Sequence, residues 1–430
     1  MKAPRGQRGV PANAGLAFTG DAASKIAAFA VVALCARLLP LEEFAHLGVA
    51  LAALTVLTCL VDAGVATVIV RDCAARTDRA RAFMRASIPV RVPLVVLACV
   101  AGIAWGLSVG DLWLGVATAV AAVAAAWSLS LTALFRATQD LAPEAIQKSC
   151  VAGATVGAAV ILAVESGRAA TVVGALATAL GLSLVPLWIS ARRRLRPPGE
   201  RIPPTGVMRA ALPFGLMAFA TLLYYRLGTL VLGATGSAAT TGSYTIASTL
   251  AFGLLMVPNA ITSGLLPRLG AQEVEAEQLE TARSALRWTI AVCGLISVLF
   301  AIVAPYVLRY GFAPRYEDAL APLLVLLAGT VVIGINGVLG TVLIVRRRTS
   351  IVSLQVGASL AVNAGLAVAL VPRFGANGAA ISTLITELIA LAILTAATLR
   401  FAPGLLMRPP AARRALIPRV GADAHNEAGL

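Results

Sequence analysis

The sequence predicts an all-α polytopic membrane protein, with about 12 transmembrane helices in two six-helix lobes around a central cavity. Three observations lead to this fold class. The 430-residue chain is 59% hydrophobic and 13% charged, with a mean hydropathy of +0.87. Apolar runs long enough to cross a bilayer recur along nearly the whole chain. The longest polar, proline-rich stretch, residues 191–206, divides these runs six and six.

Each apolar run of about 20 residues has the length that one helix needs to cross the hydrocarbon core of a bilayer. The predicted helices are 15–39, 44–70, 86–108, 112–135, 145–164, 168–191, 208–233, 243–267, 285–308, 319–345, 350–371 and 376–399. In the second and eighth helices, Asp62 and Pro258 are sites where the helix is predicted to be perturbed. The corresponding units are a basic N-terminal segment 1–14, a first lobe 15–191, a linker 192–206, a second lobe 207–400 and a basic tail 401–430.

The formal net charge of +15 is explained by where the basic residues lie. In membrane proteins, Lys and Arg collect in the cytoplasmic loops. With a cytoplasmic N-terminus, most of the 35 Lys and Arg fall in inner segments, and the outer segments hold Arg168, Arg309, Arg315 and Arg373. Both termini are therefore predicted to be cytoplasmic. Membrane lipids are the expected surroundings, and the charge gives no reason to expect a nucleic-acid partner.

The segments between the predicted helices are too short to form a soluble catalytic domain. The sequence contains no nucleotide-binding, metalloprotease or serine-hydrolase motif. Its six cysteines lie in or beside apolar runs without a CxxC spacing, and there are only two histidines. No disulfide, metal site or cofactor is therefore predicted, and the chain is expected not to be an enzyme.

Ionisable residues inside the predicted helices are the candidate functional residues, because a charge at bilayer depth costs about 2.5–3.5 kcal/mol on insertion scales. Asp21 and Lys25 lie four positions apart in the first helix, a spacing that allows an ion pair. One interpretation is that this pair only makes insertion tolerable. The other is functional: Lys25 is too deep to reach the headgroups, so we expect it to face an aqueous or ligand-filled interior.

Arg226, in the stretch YYRLG, lies about 10 Å from the outer end of the seventh helix by helical rise. At that depth its side chain either snorkels to the outer headgroups or faces a cavity. In a cavity, its guanidinium group would offer a planar set of donors that suits phosphate. Arg91, in the third helix, is the third candidate for a cationic substrate-binding cavity.

Three carboxylates, Asp21, Asp62 and Glu387, are the candidates for coupling transport to an ion gradient, since an intramembrane carboxylate can exchange a proton or a sodium ion. The alternative for Asp62 and Glu387 is structural pairing with a basic residue of the same lobe. Asn336 and Asn363 are expected to cross-link helices through hydrogen bonds.

The stretch LAVNAGLAVALVPRFGANGAAISTLITELIALA, residues 360–392, strongly resembles the penultimate hairpin of bacterial polysaccharide-transporter flippases. These proteins are the O-antigen and exopolysaccharide branch of the multidrug/oligosaccharidyl-lipid/polysaccharide exporter superfamily. The shared pattern comprises Asn363, the turn Pro372 to Gly375, and Thr386 with Glu387. Segments 35–48, 62–72, 211–248 and 254–270 agree, so the resemblance spans about 15–400.

This resemblance implies a flippase of the bacterial cytoplasmic membrane that moves an undecaprenyl-pyrophosphate-linked oligosaccharide to the outer leaflet by alternating access. The glycan would serve the biosynthesis of lipopolysaccharide or exopolysaccharide, and polysaccharide polymerase and glycosyltransferases would be protein partners. Lys25, Arg226 and Arg91 are expected to meet the pyrophosphate or the sugar. The chain departs from the family pattern at Gly228, where an acid is common, and at His46, where glycine is common. The missing acid leaves Arg226 less neutralised.

Two alternatives remain open from the sequence. A multidrug and toxin extruder shares the superfamily fold, but it would need acidic residues in its cavity to bind a cationic drug, whereas the predicted interior leans cationic. A membrane scaffold for a polysaccharide-synthesis complex would use the basic loops and tail as contacts. A scaffold has no need of charges deep in its helices.

Overall fold

A computed structural model describes residues 10–72, 77–138, 140–194 and 202–406 of the chain. Within these ranges the regular secondary structure is helical, without strands. The predicted all-α membrane fold is therefore confirmed. Parts of four predicted units lie outside the described residues: 1–9 of the N-terminus, 73–76 and 139 of the first lobe, 195–201 of the linker and 407–430 of the tail.

The first half of the chain contains seven helices, which form six crossings because α2 and α3 are two parts of one interrupted helix. They are α1 (Val10–Leu38), α2 (Leu41–Asp62), α3 (Val65–Asp72), α4 (Thr77–Ser108), α5 (Leu112–Ala137), α6 (Ala142–Ser166) and α7 (Ala169–Arg194).

The second half also makes six crossings. Its helices are α8 (Pro204–Thr235), α9 (Ala238–Gly253), α10 (Met256–Ala271), α11 (Glu275–Tyr306), α12 (Leu320–Val345) and α13 (Thr349–Phe401). A π-helical turn, Val307–Phe312, and a 3₁₀ turn, Pro314–Ala319, connect α11 to α12. The pair α9 and α10 forms one crossing, whereas α13, with 53 residues, is broken at Gly375 and forms two.

In the described part of the chain, ten helical segments are long and apolar enough to cross a membrane. One of these segments is the 53-residue α13, which makes two crossings because it is broken at Gly375. The 29-residue α1 adds one more crossing. The total agrees with the twelve predicted crossings. The starting residues differ most from the prediction in α4, which begins at Thr77, and in α11, which begins at Glu275. Their first turns carry charged residues, so a hydropathy pattern detects only the part of each helix that lies in the membrane.

The interruptions in the second and eighth crossings occur near the two predicted sites. Between α2 and α3, Ala63 and Gly64 adopt positive φ angles of 52° and 80°. Between α9 and α10, the break lies at Leu254 and Leu255, three residues before Pro258 in the first turn of α10. Proline has no N–H group to bond the carbonyl four residues earlier, so the carbonyl of Leu254 loses that partner and the helix is weakened there.

The two lobes pack against each other differently at the two ends of the molecule. We call the end with the loops after α3, α5, α7, α10 and α12 the basic end, and the end with the loops after α1, α4, α6, α8 and α11 the opposite end. At the opposite end, one apolar core contains residues of both lobes, including Cys35, Leu47, Tyr244 and Leu323. At the basic end there are two cores. One joins the first lobe to the start of α8, and the other lies within the second lobe.

Candidate functional site

Lys25 of α1 and Arg226 of α8 come from different lobes, and they lie close enough for Arg226 to repel Lys25 electrostatically. Lys25 is exposed and Arg226 is half-buried. In the residues that the structure describes, neither side chain forms a hydrogen bond or a salt bridge. The lobes therefore bring together two cations that have no ion-pair partner, at a depth where such charges are costly.

Lys25 is left unpaired because Asp21 pairs elsewhere. The carboxylate of Asp21 lies 2.5 Å from Nζ of Lys148 on α6. Lys148 also lies 2.7 Å from Glu144, whose carboxylate is 2.5 Å from Arg136 of α5. This network ties α1, α5 and α6 together in the basic half of the first lobe. Asp21 attracts Lys25 electrostatically without bonding to it.

Gly228, the departure from the family pattern, has a steric explanation. A Cβ atom at this position would lie 2.8 Å from the hydroxyl oxygen of Tyr244 and 3.1 Å from the Cβ of Ala379. Tyr244 is fully buried, so it has little room to move. A side chain at position 228 would therefore need repacking of this contact, and the glycine also keeps Arg226 without an acidic neighbour one half-turn away.

Arg91 and Asp62 form a buried ion pair in the first lobe. Nη2 of Arg91 lies 2.7 Å from Asp62 Oδ1 and 2.6 Å from the hydroxyl of Ser130 on α5. The carboxylate of Asp62 also accepts hydrogen bonds at 3.3 Å from the backbone N–H of Ala66, in the first turn of α3. Because Arg91 is 1% exposed, no ligand reaches its guanidinium group in this conformation. The pair holds the α2–α3 break in place.

Glu387 of α13 lies at a polar junction in the second lobe. Its carboxylate accepts a hydrogen bond from the hydroxyl of Tyr224 on α8, and the hydroxyl of Tyr225 lies nearby. Nδ2 of Asn336 on α12 donates to Glu387 Oε2 at 2.8 Å. No basic side chain pairs with Glu387 in the described part of the chain, in contrast to Asp62. Asn336 thus cross-links α12 to α13, as the sequence suggested.

A pocket of about 270 Å³ adjoins Glu387 inside the second lobe. Tyr225 lines it on one side, and Asn259, Gln355 and Ser359 contribute further polar groups. Oδ1 of Asn336 is buried and has no hydrogen-bond partner. The wall of the pocket therefore contains a buried carboxylate and a buried carbonyl oxygen without a hydrogen-bond partner. In the described ranges, no cluster of three or more His, Cys, Asp or Glu side chains is suited to hold a metal ion.

Sequence reasoning did not identify the two arginines that connect the lobes at the opposite end. Arg37, in the last turn of α1, donates to the backbone carbonyls of Phe312 and Tyr310. Arg315 donates to the carbonyls of Ala36 and Leu39. The available signal was weak: both arginines lie at the end of the molecule where basic residues are rare.

The family of the chain follows from its sequence. The family model described as "Polysaccharide biosynthesis protein" matches residues 10–272. The chain belongs to this polysaccharide biosynthesis protein family. The match covers the first lobe and the helices α8 to α10, and with them Lys25, Arg91 and Arg226. The resemblance stated from the sequence is thereby confirmed. A search of curated proteins finds no match.

Solved transporter structures share the fold. The lipid II flippase MurJ in an inward closed conformation has a TM-score of 0.73 at 11% identity, covering 88% of this chain and 86% of that one. An inward-facing multidrug resistance MATE family transporter of the MOP superfamily has a TM-score of 0.68 at 16% identity, covering 90% and 96%. An outward-facing multidrug resistance MATE family transporter of the MOP superfamily has a TM-score of 0.64 at 15% identity, covering 94% of this chain and 99% of that one. At these identities the likeness shows the fold alone, which is a two-lobe, multi-pass membrane architecture.

Proposed function

We propose that this member of the polysaccharide biosynthesis family is a flippase, which moves an undecaprenyl-pyrophosphate-linked oligosaccharide between leaflets by alternating access. The observation that carries the proposal is the unpaired cation pair of Lys25 and Arg226, one from each lobe. A pyrophosphate bound between them would relieve their mutual repulsion. It would also bridge the two lobes, as a substrate of an alternating-access transporter must.

Charge complementarity supports a phosphorylated substrate over a neutral one. Taking a pyrophosphate through hydrocarbon without counter-charges is prohibitive, whereas two cations at the site offset much of the desolvation cost. The guanidinium group of Arg226 can bind phosphate oxygens in a bidentate manner. The polyprenyl tail would stay in lipid, while the sugar would lie between the lobes.

We place the chain in the bacterial cytoplasmic membrane, with its basic end and both termini facing the cytoplasm, because arginines and lysines collect on that side. In this orientation, the lipid-linked sugar is picked up at the basic end. Its release would deliver the glycan for lipopolysaccharide or exopolysaccharide synthesis. Glycosyltransferases would act before the flippase, and a polysaccharide polymerase would act after it.

Glu387 is the residue that we assign to ion coupling. It has hydrogen-bond donors around it and no basic partner in the described residues, so its charge can be changed without leaving a cation unpaired. Asp62 is bound to Arg91, and Asp21 to Lys148. In both cases, protonation of the carboxylate would break an existing ion pair, which argues for a structural role.

The first experiment is the leaflet distribution of the lipid-linked oligosaccharide, measured with an impermeant glycan-modifying enzyme in cells carrying defined variants. We expect Lys25→Ala and Arg226→Ala to trap the lipid on the cytoplasmic side, and Lys25→Arg to keep part of the activity. Arg309→Ala is the matched control, since this exposed arginine lies at the opposite end and away from the cation pair. Normal distribution in both alanine variants, at normal membrane abundance, would refute the proposal.

The second candidate is a cation-coupled exporter of cationic compounds, favoured by the carboxylate pocket around Glu387. Its test is efflux of rhodamine 6G from cells with and without the chain. Efflux that depends on Glu387 but not on Lys25 would select this function. A scaffold would instead lower polysaccharide output while the leaflet distribution and dye efflux stay unchanged.

A further inference from the structure

The contact between Arg37 and Arg315 is reciprocal. Arg37 belongs to the first lobe, and its Nε donates to the carbonyl of Phe312 in the second lobe at 2.5 Å. Arg315 belongs to the second lobe, and its Nη2 donates to the carbonyls of Ala36 and Leu39 in the first lobe, at 2.5 and 2.8 Å. Each lobe therefore supplies one cation to the backbone of the other.

The acceptor carbonyls are ones that the helices leave available. The last carbonyls of an α-helix have no partner inside the helix and carry its partial negative charge. Ala36 lies in the last turn of α1, and Leu39 follows that turn. On the other side, Tyr310 and Phe312 lie in a π-helical turn, where the regular hydrogen-bond pattern is interrupted. The two arginines thus satisfy backbone groups that would otherwise require water.

Aromatic contacts between the lobes lie beside these bonds. Phe29 of α1 packs edge-on against Phe312, with ring centroids 5.6 Å apart. Phe44 of α2 packs against Tyr316, with centroids 5.2 Å apart. Phe44, Phe312 and Tyr316 are fully buried. The arginine bonds therefore border a buried aromatic contact between the lobes, while the two arginine side chains themselves are exposed.

We propose that Arg37 and Arg315 form an inter-lobe latch that holds the lobes together at the opposite end in this conformation and opens when the lobes separate there. The latch rests on geometry alone and would act whatever substrate passes between the lobes. All four acceptors of the latch are backbone carbonyls, at positions 36, 39, 310 and 312. A substitution at these positions changes the side chain and leaves the carbonyl in place. The latch can therefore be removed only by substituting the two arginines.

Thr245 of α9 provides a position for a reporter of latch opening. It is 5% exposed and lies directly against Gly48 of α2 in the other lobe. Thr245→Cys is close to isosteric, so we expect a packed reporter thiol when the six native cysteines are replaced by alanine. The measurement is the rate of maleimide labelling of the purified protein in lipid nanodiscs. It requires no substrate, so its outcome is independent of the flippase proposal.

Removing both arginines with Arg37→Gln and Arg315→Gln should raise the labelling rate about tenfold, because hydrogen bonds from a charged group contribute enough to shift an opening equilibrium by that factor. Each single variant should give a smaller rise. Arg309→Gln is the matched control and should leave the labelling rate unchanged. Arg309 lies in the same π-helical turn as the acceptors Tyr310 and Phe312.

An unchanged labelling rate in the double Gln variant, with a monodisperse folded protein, would overturn the latch. If the Gln variants do not fold, Arg37→Lys with Arg315→Lys decides the question. Lysine keeps the charge but cannot span two carbonyls with a planar group, so the latch predicts faster labelling there too. A rate equal to that of the parent would again overturn it.

Discussion

Nδ2 of Asn336 lies 2.8 Å from Oε2 of Glu387, and the two residues join α12 to α13 beside the hydroxyls of Tyr224 and Tyr225. Tyr225 directly precedes Arg226, the cation that repels Lys25 electrostatically. The carboxylate junction and Arg226 are therefore attached to the same turn of α8. We expect a change in the charge of Glu387 to act on the side chains next to the proposed substrate site.

Glu387→Gln should abolish the dependence of transport on an imposed ion gradient. Glutamine keeps the size of the side chain but cannot take up a proton or balance a cation. We expect gradient-driven transport in proteoliposomes to fall about tenfold or more, equivalent to about 1.4 kcal/mol of lost coupling. Asn363→Ala, on the same helix and at 3.4 Å from Thr386, is the control. Unchanged gradient dependence in Glu387→Gln would exclude this residue from coupling.

Breaking the Asp62–Arg91 pair should be strongly destabilising. Removing one partner leaves an uncompensated buried charge, which costs about 3–5 kcal/mol. Arg91→Met and Asp62→Asn should therefore each lower the thermal unfolding midpoint in detergent, and the double variant should recover part of the loss. Arg71→Gln breaks the exposed pair with Asp72 and should cost only about 0–1 kcal/mol. A double variant as unstable as the sum of the singles would contradict a buried pair.

Gly64 marks the closest approach of α8 to the α2–α3 break. Its φ angle is 80°, and a Cβ there would lie 2.5 Å from the carbonyl oxygen of Ala211 and from the amide nitrogen of Gly215. Gly64→Ala should destabilise the protein by about 1–3 kcal/mol through overpacking, with added backbone strain. Gly174→Ala, which has open space around it, should be tolerated. Equal unfolding midpoints for the two variants would show that this crossing is not tight.

Gly375 is required by the backbone at the turn within α13. Its φ and ψ angles of 53° and −130° lie in a region that side chains with a Cβ avoid. We expect Gly375→Ala to cost about 1–3 kcal/mol, measured by thermal unfolding. Gly365→Ala, earlier in the same helix with nothing within 4 Å, should be neutral or stabilising, because alanine is the better helix former. Loss of stability at Gly365 alone would reverse this interpretation.

The helices were predictable because hydropathy and length act locally along the chain. The partners of the charged residues were not, since they depend on which helices become neighbours. Asp21 lies four positions from Lys25 but bonds Lys148, which is 127 positions away. The two carboxylates that looked equivalent in sequence also differ: Asp62 has a guanidinium partner, and Glu387 has only uncharged donors.

The arginines at the opposite end show a second limit of prediction from the sequence. Their acceptors are backbone carbonyls, and a carbonyl has no signature in the sequence. Arg37 and Arg315 could be recognised only once the end of α1 and the α11–α12 connection were seen to lie side by side.

The apolar core shared by the lobes at the opposite end has a consequence for turnover. If the lobes part there, this core is dismantled and rebuilt in every cycle, so its cohesion becomes part of the kinetic barrier. The core combines alanines, such as Ala36, Ala247 and Ala380, with large side chains, such as Phe44 and Phe312. At about 25 cal/mol per Å² of apolar surface, each alanine contact adds little to the barrier, and the large side chains account for most of it. The speed of opening at this end should therefore depend on how much aromatic and leucine surface the lobes must separate.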